Sequence, residues 1–307
     1  METDAGKSLK KLIETPVQLG WLNPRGLGDL TPRKTEMKTK HKDSIGDRMK
    51  SYEAHETSRR SMKRLPICVR VDGRAFHTFT RGLDRPFDAG FSMAMIETTK
   101  FLVEQTHAKI GYTQSDEITL VFWDGSHKAE PLFGGKFFKL TSVIASLATT
   151  KFMSVIPELM PSKVGKLPSF DARIFQVPDL SEAANLILWR WIDARKNSIS
   201  MAAQANFSPK ELHGKPASER LSMLLEKGVD WAKDYPDHLK WGTFVQSKTV
   251  ERELTAEELD VIPERHRPEG PVIRNDYVEL SLPPFIEIDN RVEVLFEGAE
   301  PTLRIPE

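Results

Sequence analysis

Residues 70–79 read RVDGRAFHTF. They follow directly from LPICVRV (65–71), whose apolar and branched residues predict a strand. That strand ends on an acid, Asp72, a glycine, Gly73, and a cation, Arg74. An Asp-Gly step after a strand is most often a turn. It is also what half of a site looks like when a negative charge has to be held rigidly. The surrounding sequence decides between the two.

Outward from this stretch, FDAGFSMAMIETTKFLVEQTH (87–107) has the pattern of an amphipathic helix with Asp88 as its N-cap. KIGYTQSDEITLVFW (109–123) predicts two strands joined tightly around QSD. GGKFFKLTSVIASLATTKFMSVI (134–156) predicts a second helix, apolar over a broad face, and FDARIFQVP (170–178) a fourth strand closed by Pro178. The order β-α-β-β-α-β is the split unit of ferredoxin-like folds, so the expected class is α+β.

On the flanks, DSIGDRMKSYEAHETSRRS (43–61) predicts a polar helix with Ile45, Met49 and Tyr52 at helical spacing. SEAANLILWRWIDARKNSISMAAQANF (181–207) predicts a long helix, followed by short helices over 208–240 with Gly228 as one stop. GTFVQSKTVERELT (242–255) and GPVIRNDYVELSLPPF (270–285) read as strands, and the Pro-rich end shows no pattern. Residues 1–36 are turn-rich, with SLKKLIET as a short helix, and Met37 could serve as an alternative start. The expected domains are an N-terminal extension (1–36), a domain built on the β-α-β-β-α-β unit (37–180), a helical region with a completing strand (181–250) and an acidic C-terminal extension (251–307).

Composition bounds the reading. The 307 residues are 39% hydrophobic, enough for one large domain or two small ones. The net charge is zero, yet Arg33–Arg64 holds 11 Lys or Arg against 5 Asp or Glu, and Glu251–Glu307 holds 15 acids against 6 Lys or Arg. A polyanion would therefore meet the N-terminal part. The one cysteine, Cys68, lies inside a predicted strand and reads as a core residue, so no disulfide forms within the chain. No apolar run approaches the length of a membrane span, and METDAGKSLKK lacks the apolar core of a signal peptide. These features point to a cytoplasmic protein with no membrane partner.

In a β-α-β-β-α-β sheet the first and third strands are antiparallel neighbours. The chain leaves the first strand at Asp72 and enters the third just after Ser115-Asp116-Glu117. The topology thus brings Asp72 and Asp116 together at one edge, with Glu117 adjacent. Clustered carboxylates raise each other's pKa, and cations relieve the repulsion. Hard oxygen ligands suit Mg²⁺, which keeps water and recruits phosphates. Two such ions would activate an attacking hydroxyl and stabilise a leaving pyrophosphate. Gly73 would let its carbonyl or a phosphate approach closely. Arg74 and His77, around Ala75 and Phe76, would meet anionic ligands; Phe76 and Phe79 read as core, with one ring able to stack on a base. Lys136 and Lys139 stand at a helix start after Gly134-Gly135, where phosphate is attracted.

RVDGRAFHTF, YTQSDEITLVF, FDARIF and LILWRWIDARKN fall in the order and approximate spacing of the tRNA-histidine guanylyltransferase family, which residues 38–250 resemble. GDRMKSYE resembles the entry helix of its bacterial and archaeal guanylyltransferase-like branch. The resemblance implies a polymerase-palm-like catalytic domain that adds nucleotides in the 3′–5′ direction to the 5′ end of an RNA, usually a tRNA. It implies two Mg²⁺ ions, ATP and GTP as substrates, and a homotetramer built as a dimer of dimers. Carried over by motif, Asp72 and Asp116 hold the ions, the Gly73 carbonyl assists and Glu117 supports the site. Ser115 and Arg85 contact triphosphate, with Lys136, Lys139 and Asn197 as further phosphate contacts.

Histidine-specific members carry His-Ile-Asn-Asn-Leu-Tyr-Asn where this chain has Arg195-Lys196-Asn197-Ser198-Ile199-Ser200-Met201. That departure favours the template-dependent branch, which repairs truncated 5′ ends, over histidine-tRNA-specific guanylylation. Arg195 and Lys196 would hold RNA backbone. Two competing readings are a palm-fold nucleotide cyclase or dinucleotide synthase, and a tRNA-binding protein without turnover. The clustered acids argue against the last, because a binding module gains nothing from them beside an RNA phosphate.

Overall fold

The computed structural model describes residues 44–126 and 129–304. The expected extension at 1–36, its SLKKLIET helix and Met37 lie outside the described residues. Of the chain's first compact unit, Met1–Met49, only the start of helix α1 (Ser44–Thr57) is described. On that helix Ile45, Met49 and Tyr52 are all exposed.

The second unit is built on one antiparallel sheet. Its first four strands are β1 (Ile67–Gly73), β2 (Ile110–Gln114), β3 (Glu117–Phe122) and β4 (Phe170–Gln176). Helix α2 (Ala89–Thr106) connects β1 to β2, and α3 (Phe137–Leu159) connects β3 to β4. Asp88 caps α2 as expected, its carboxylate accepting from the Phe91 N–H. The long helix α4 (Leu180–Asn206) follows, then short helices, then β5 (Thr243–Arg252) and β6 (Val272–Leu280). The strand order is β4-β1-β3-β2-β5-β6.

Alternation along β1 sorts the two faces. Ile67, Val69 and Val71 join Ile118 and Leu120 against α2 and α3. Cys68 faces the other way, with Ile110, Tyr112 and Val121, under Ala183, Leu186, Ile187 and Trp191 of α4. Gly111 lets β2 lie close to α2, since a Cβ there would sit 2.7 Å from Val103 and 2.8 Å from Thr99.

Two expectations need correction. Helix α3 is, among the described residues, one helix long and apolar enough to cross a membrane, against the reading that no run reaches that length. Its buried residues Phe137, Leu140, Ile144, Ala148, Phe152 and Ile156 recur at three- and four-residue steps, the stripe of a helix packed on a sheet. The C-terminal residues are also more than a tail. The boundary drawn at 250/251 falls inside β5, and β6 pairs with β5 along its length. Beyond it, Phe285, Ile288 and, from helix α5 (Arg291–Glu297), Val294 and Leu295 complete the α4-side core.

Candidate active site

The β1–β3 register pairs Asp72 with Glu117, so the tip of the β2–β3 hairpin stands over the end of β1. The Gly73 N–H donates to the Asp116 carbonyl at 3.0 Å, which ties hairpin and strand end together. Ser115 turns the hairpin in the left-handed region, φ 49°, and its hydroxyl donates to the Asp116 carboxylate at 3.2 Å. Asp72 and Asp116 therefore share one edge.

Their electrostatics follow from that placement. Burial pushes the Asp116 carboxyl above the usual carboxylate range, and the charge of Asp72 adds to it. Asp72 is raised as well, first by burial and then by Glu117 and Asp171; Arg173, at 3.4 Å, opposes this. Two crowded carboxylates held partly out of water are a pair whose repulsion a cation relieves. Among the described residues no three His, Cys, Asp or Glu side chains converge as a metal cluster. The donor set is thus two carboxylates with backbone oxygen nearby. This fits Mg²⁺, which fills its remaining positions with water and phosphate.

Glu117 is used differently. Arg70 reaches its Oε1 at 2.5 Å, and the buried Arg190 of α4 bonds its Oε2. Arg190 also pairs with Asp193 at 3.0 Å. Glu117 is therefore the clasp that fastens α4 to the sheet directly under the acid pair. The sequence signal for this was a charged Arg70 alternating with buried apolar residues in β1. Arg173 and Asp171, which flank Asp72 from β4, were not anticipated either.

Gly73 has an internal reason. A Cβ there would lie 2.4 Å from the Phe76 ring. Phe76 itself is 2% exposed and packs on Phe79, Phe91, Phe152 and Phe170 at centroid distances of 4.8–6.0 Å. Its ring is core, as expected, and is not free to stack on a base. Ala75, at φ 56°, turns the chain so that Phe76 enters the core while Arg74 and His77 stay exposed.

Two clefts open beside the pair. One, about 590 Å³ of empty space, is lined by Phe91, Met95, Gln114, Ser115, Asn197 and His238 among others. The other, about 1230 Å³, is lined by His77, Arg81, Arg85, Asp88, Ser115 and Met201. Ser115 belongs to both, so the structure brings His77, Arg85 and Asn197 around the hairpin tip. Arg195 and Lys196 precede Asn197 on α4, half-buried and exposed respectively.

Lys136 and Lys139 are not brought there. Helix α3 ends near the acids, where Phe152 meets Phe76, and begins at the other end of β1, where Leu140 and Ile67 line a common cavity. The seven residues of β1 separate the two ends by about 20 Å. Lys136 caps α3 in extended conformation, and the Lys139 ammonium lies 4.9 Å from the Phe133 ring centroid.

The family described as Thg1, tRNAHis guanylyltransferase, matches residues 46–178. A bacterial tRNA(His) guanylyltransferase (Thg1)-like protein solved in complex with ATP is 40% identical, with a TM-score of 0.62 over 66% of this chain and 87% of that one. The chain belongs to the tRNA-histidine guanylyltransferase family. A bacterial Thg1-like protein in complex with GTP is 33% identical, with a TM-score of 0.61 over 77% of this chain and 91% of that one. The tRNA(His) guanylyltransferase of Candida glabrata is 27% identical over 65% of this chain and 89% of its own length. The family is one of nucleotidyltransferases, so the protein is an enzyme of that class.

Proposed function

We propose that the protein is a template-dependent 3′–5′ nucleotidyltransferase that repairs the 5′ end of tRNA or tRNA-like RNA. The observation that carries this is the Asp72–Asp116 pair at one sheet edge, beside clefts lined by Ser115, His77, Arg85 and Asn197. The β4-β1-β3-β2 order, with acids at the end of β1 and at the β2–β3 hairpin, supports a palm-like reading of the domain.

In this reading Asp72, Asp116 and the Gly73 carbonyl hold Mg²⁺, which when bound supplies charge neutralisation and lowers the pKa of the attacking hydroxyl. Ser115, His77 and Arg85 orient the triphosphate of ATP or GTP from the cleft side; Arg74 adds charge at the strand exit. Arg195 and Lys196 hold RNA backbone, and Asn197 lines the first of the two clefts. Glu117 keeps α4 and the acid pair in register. The 3′-hydroxyl of the incoming nucleotide attacks the phosphorus at the RNA 5′ end; pyrophosphate leaves from a 5′-triphosphate end, and AMP leaves from a 5′-monophosphate end that ATP has first adenylylated with release of pyrophosphate. We place the enzyme in the cytoplasm as a homotetramer.

The test is extension of a 5′-truncated tRNA in the presence of nucleoside triphosphates and Mg²⁺. Extension is expected from wild type and lost in Asp72→Ala and Asp116→Ala; no extension by wild type, or full extension by the variants, ends the reading. The curated relative's activity favours a second reading, histidine-tRNA-specific guanylylation. Comparing tRNA(His) lacking its extra 5′ guanosine with truncated tRNAs of other identities separates the two.

A further inference from the structure

Trp189 stands apart from the other described tryptophans. It is 51% exposed, whereas Trp191 and Trp231 are buried at 3% and 5%. Trp189 is nevertheless fixed. The Arg70 guanidinium lies 5.0 Å from its ring centroid and that of Arg190 lies 4.6 Å away. Both arginines are themselves pinned by Glu117. A large aromatic surface is thus held half in water by two arginines that Glu117 pins in turn.

Its position relative to the acids is informative. Arg70 and Asp72 are two residues apart on β1, so they share the α4 face of the sheet about 7 Å from each other. On that face β4 adds Asp171 and the exposed Arg173, opposite Asp72 and Arg70 in register. The clefts for a nucleotide open on the β2 side of the hairpin, lined by α2 and the later part of α4. The acid pair is therefore flanked by cavities on one side and, on the other, by an open shelf carrying a tryptophan and the exposed Arg173, which pairs with Asp72 at 3.4 Å and Asp171 at 3.8 Å.

We propose that Trp189 is the stacking platform for the 5′-terminal base of the RNA, held for that purpose by Arg70 and Arg190. The proposal rests on the reading of an RNA 5′ end given above. Aromatic stacking is sequence-tolerant, because every base offers a π-face, which suits an enzyme that accepts different 5′ ends. Arg173 supplies positive charge on the same shelf for the adjoining phosphate. The incoming nucleotide lies in the clefts, so RNA and triphosphate reach the acids from opposite sides.

The experiment uses a 5′-truncated tRNA with 2-aminopurine as its 5′-terminal base, with binding to wild type, Trp189→Leu and Trp189→Phe followed by fluorescence. Stacking predicts quenching on binding to wild type and to Trp189→Phe, and none with Trp189→Leu. It also predicts that Trp189→Leu weakens tRNA binding about 5- to 150-fold while its affinity for ATP, read without RNA, is unchanged. The ATP measurement controls for disturbance of Glu117 and the fold. Equal quenching by wild type and Trp189→Leu overturns the platform, as does a wild type that extends the RNA without quenching it. A wild type that neither binds nor extends the RNA overturns the repair function along with it.

Discussion

Gly73 and Asp116 show how far single residues set this site. Any side chain at residue 73 meets the Phe76 ring, because a Cβ would approach it to 2.4 Å. Phe76 cannot retreat, since four other phenylalanines surround it. Gly73→Ala is therefore expected to cost about 1–3 kcal/mol, the range for overpacking, seen as a lower urea midpoint with an unchanged slope. At Asp116 the direction reverses. Its folded pKa lies above its unfolded value because of burial and Asp72, so its charge opposes folding above the unfolded pKa, and the cost fades as pH falls through the folded one. Asp116→Asn removes that charge. In EDTA at pH 7.5 its Tm should exceed wild type by on the order of 2 °C, with the gap closing towards pH 4. Mg²⁺ should raise the Tm of wild type but not of the variant.

At the scale of elements the Glu117 clasp matters most. Arg190 is buried on α4, and Glu117 and Asp193 are its charged partners. Removing Glu117 leaves Arg190 with Asp193 alone and takes the carboxylate from Arg70, at a cost below the about 3 kcal/mol of a fully uncompensated buried charge. Glu117→Gln should therefore lower the denaturation midpoint, and a double variant with Arg190→Met should cost less than the two single changes added. If Glu117 is a clasp, Glu117→Gln still extends RNA when folded, whereas Asp116→Asn does not. The split unit was legible because helix and strand periods alternate cleanly between residues 65 and 178, and the acid pair followed from strand order alone. That same order shows that α3 must start at the opposite end from Asp72, so Lys136 and Lys139 could have been placed correctly. Their attraction as phosphate ligands came from local chemistry, a helix start after two glycines, taken without its direction. Arg70, Trp189 and Arg190 stayed hidden because their roles exist only where β1 and α4 meet.

The whole molecule depends on its C-terminal residues more than their sequence suggests. PPFIEIDNRVEVLFEG (283–298) is too short and too interrupted by proline and acids to show a period. Yet Phe285 is fully buried, packs on Phe244 at 5.1 Å, and shares a core with Ile187 and Cys68. The Gln246 side-chain amide donates to the Val294 and Leu295 carbonyls at 2.7 and 2.9 Å, anchoring α5 to β5. Cys68 reports on this core, since burial pushes its thiol up to about 12 and keeps it from forming the reactive thiolate. Wild type should resist iodoacetamide at pH 8 until it unfolds. Phe285→Ala should cost about 3–5 kcal/mol and increase labelling in proportion to the unfolded population. A chain ending at Leu282 should label rapidly and lose its cooperative transition, because Phe244, Tyr112 and Ile187 would face water. An appendage would behave otherwise: if the shortened chain kept both its midpoint and a protected Cys68, residues 283–307 would lie outside the folding unit that positions Asp72.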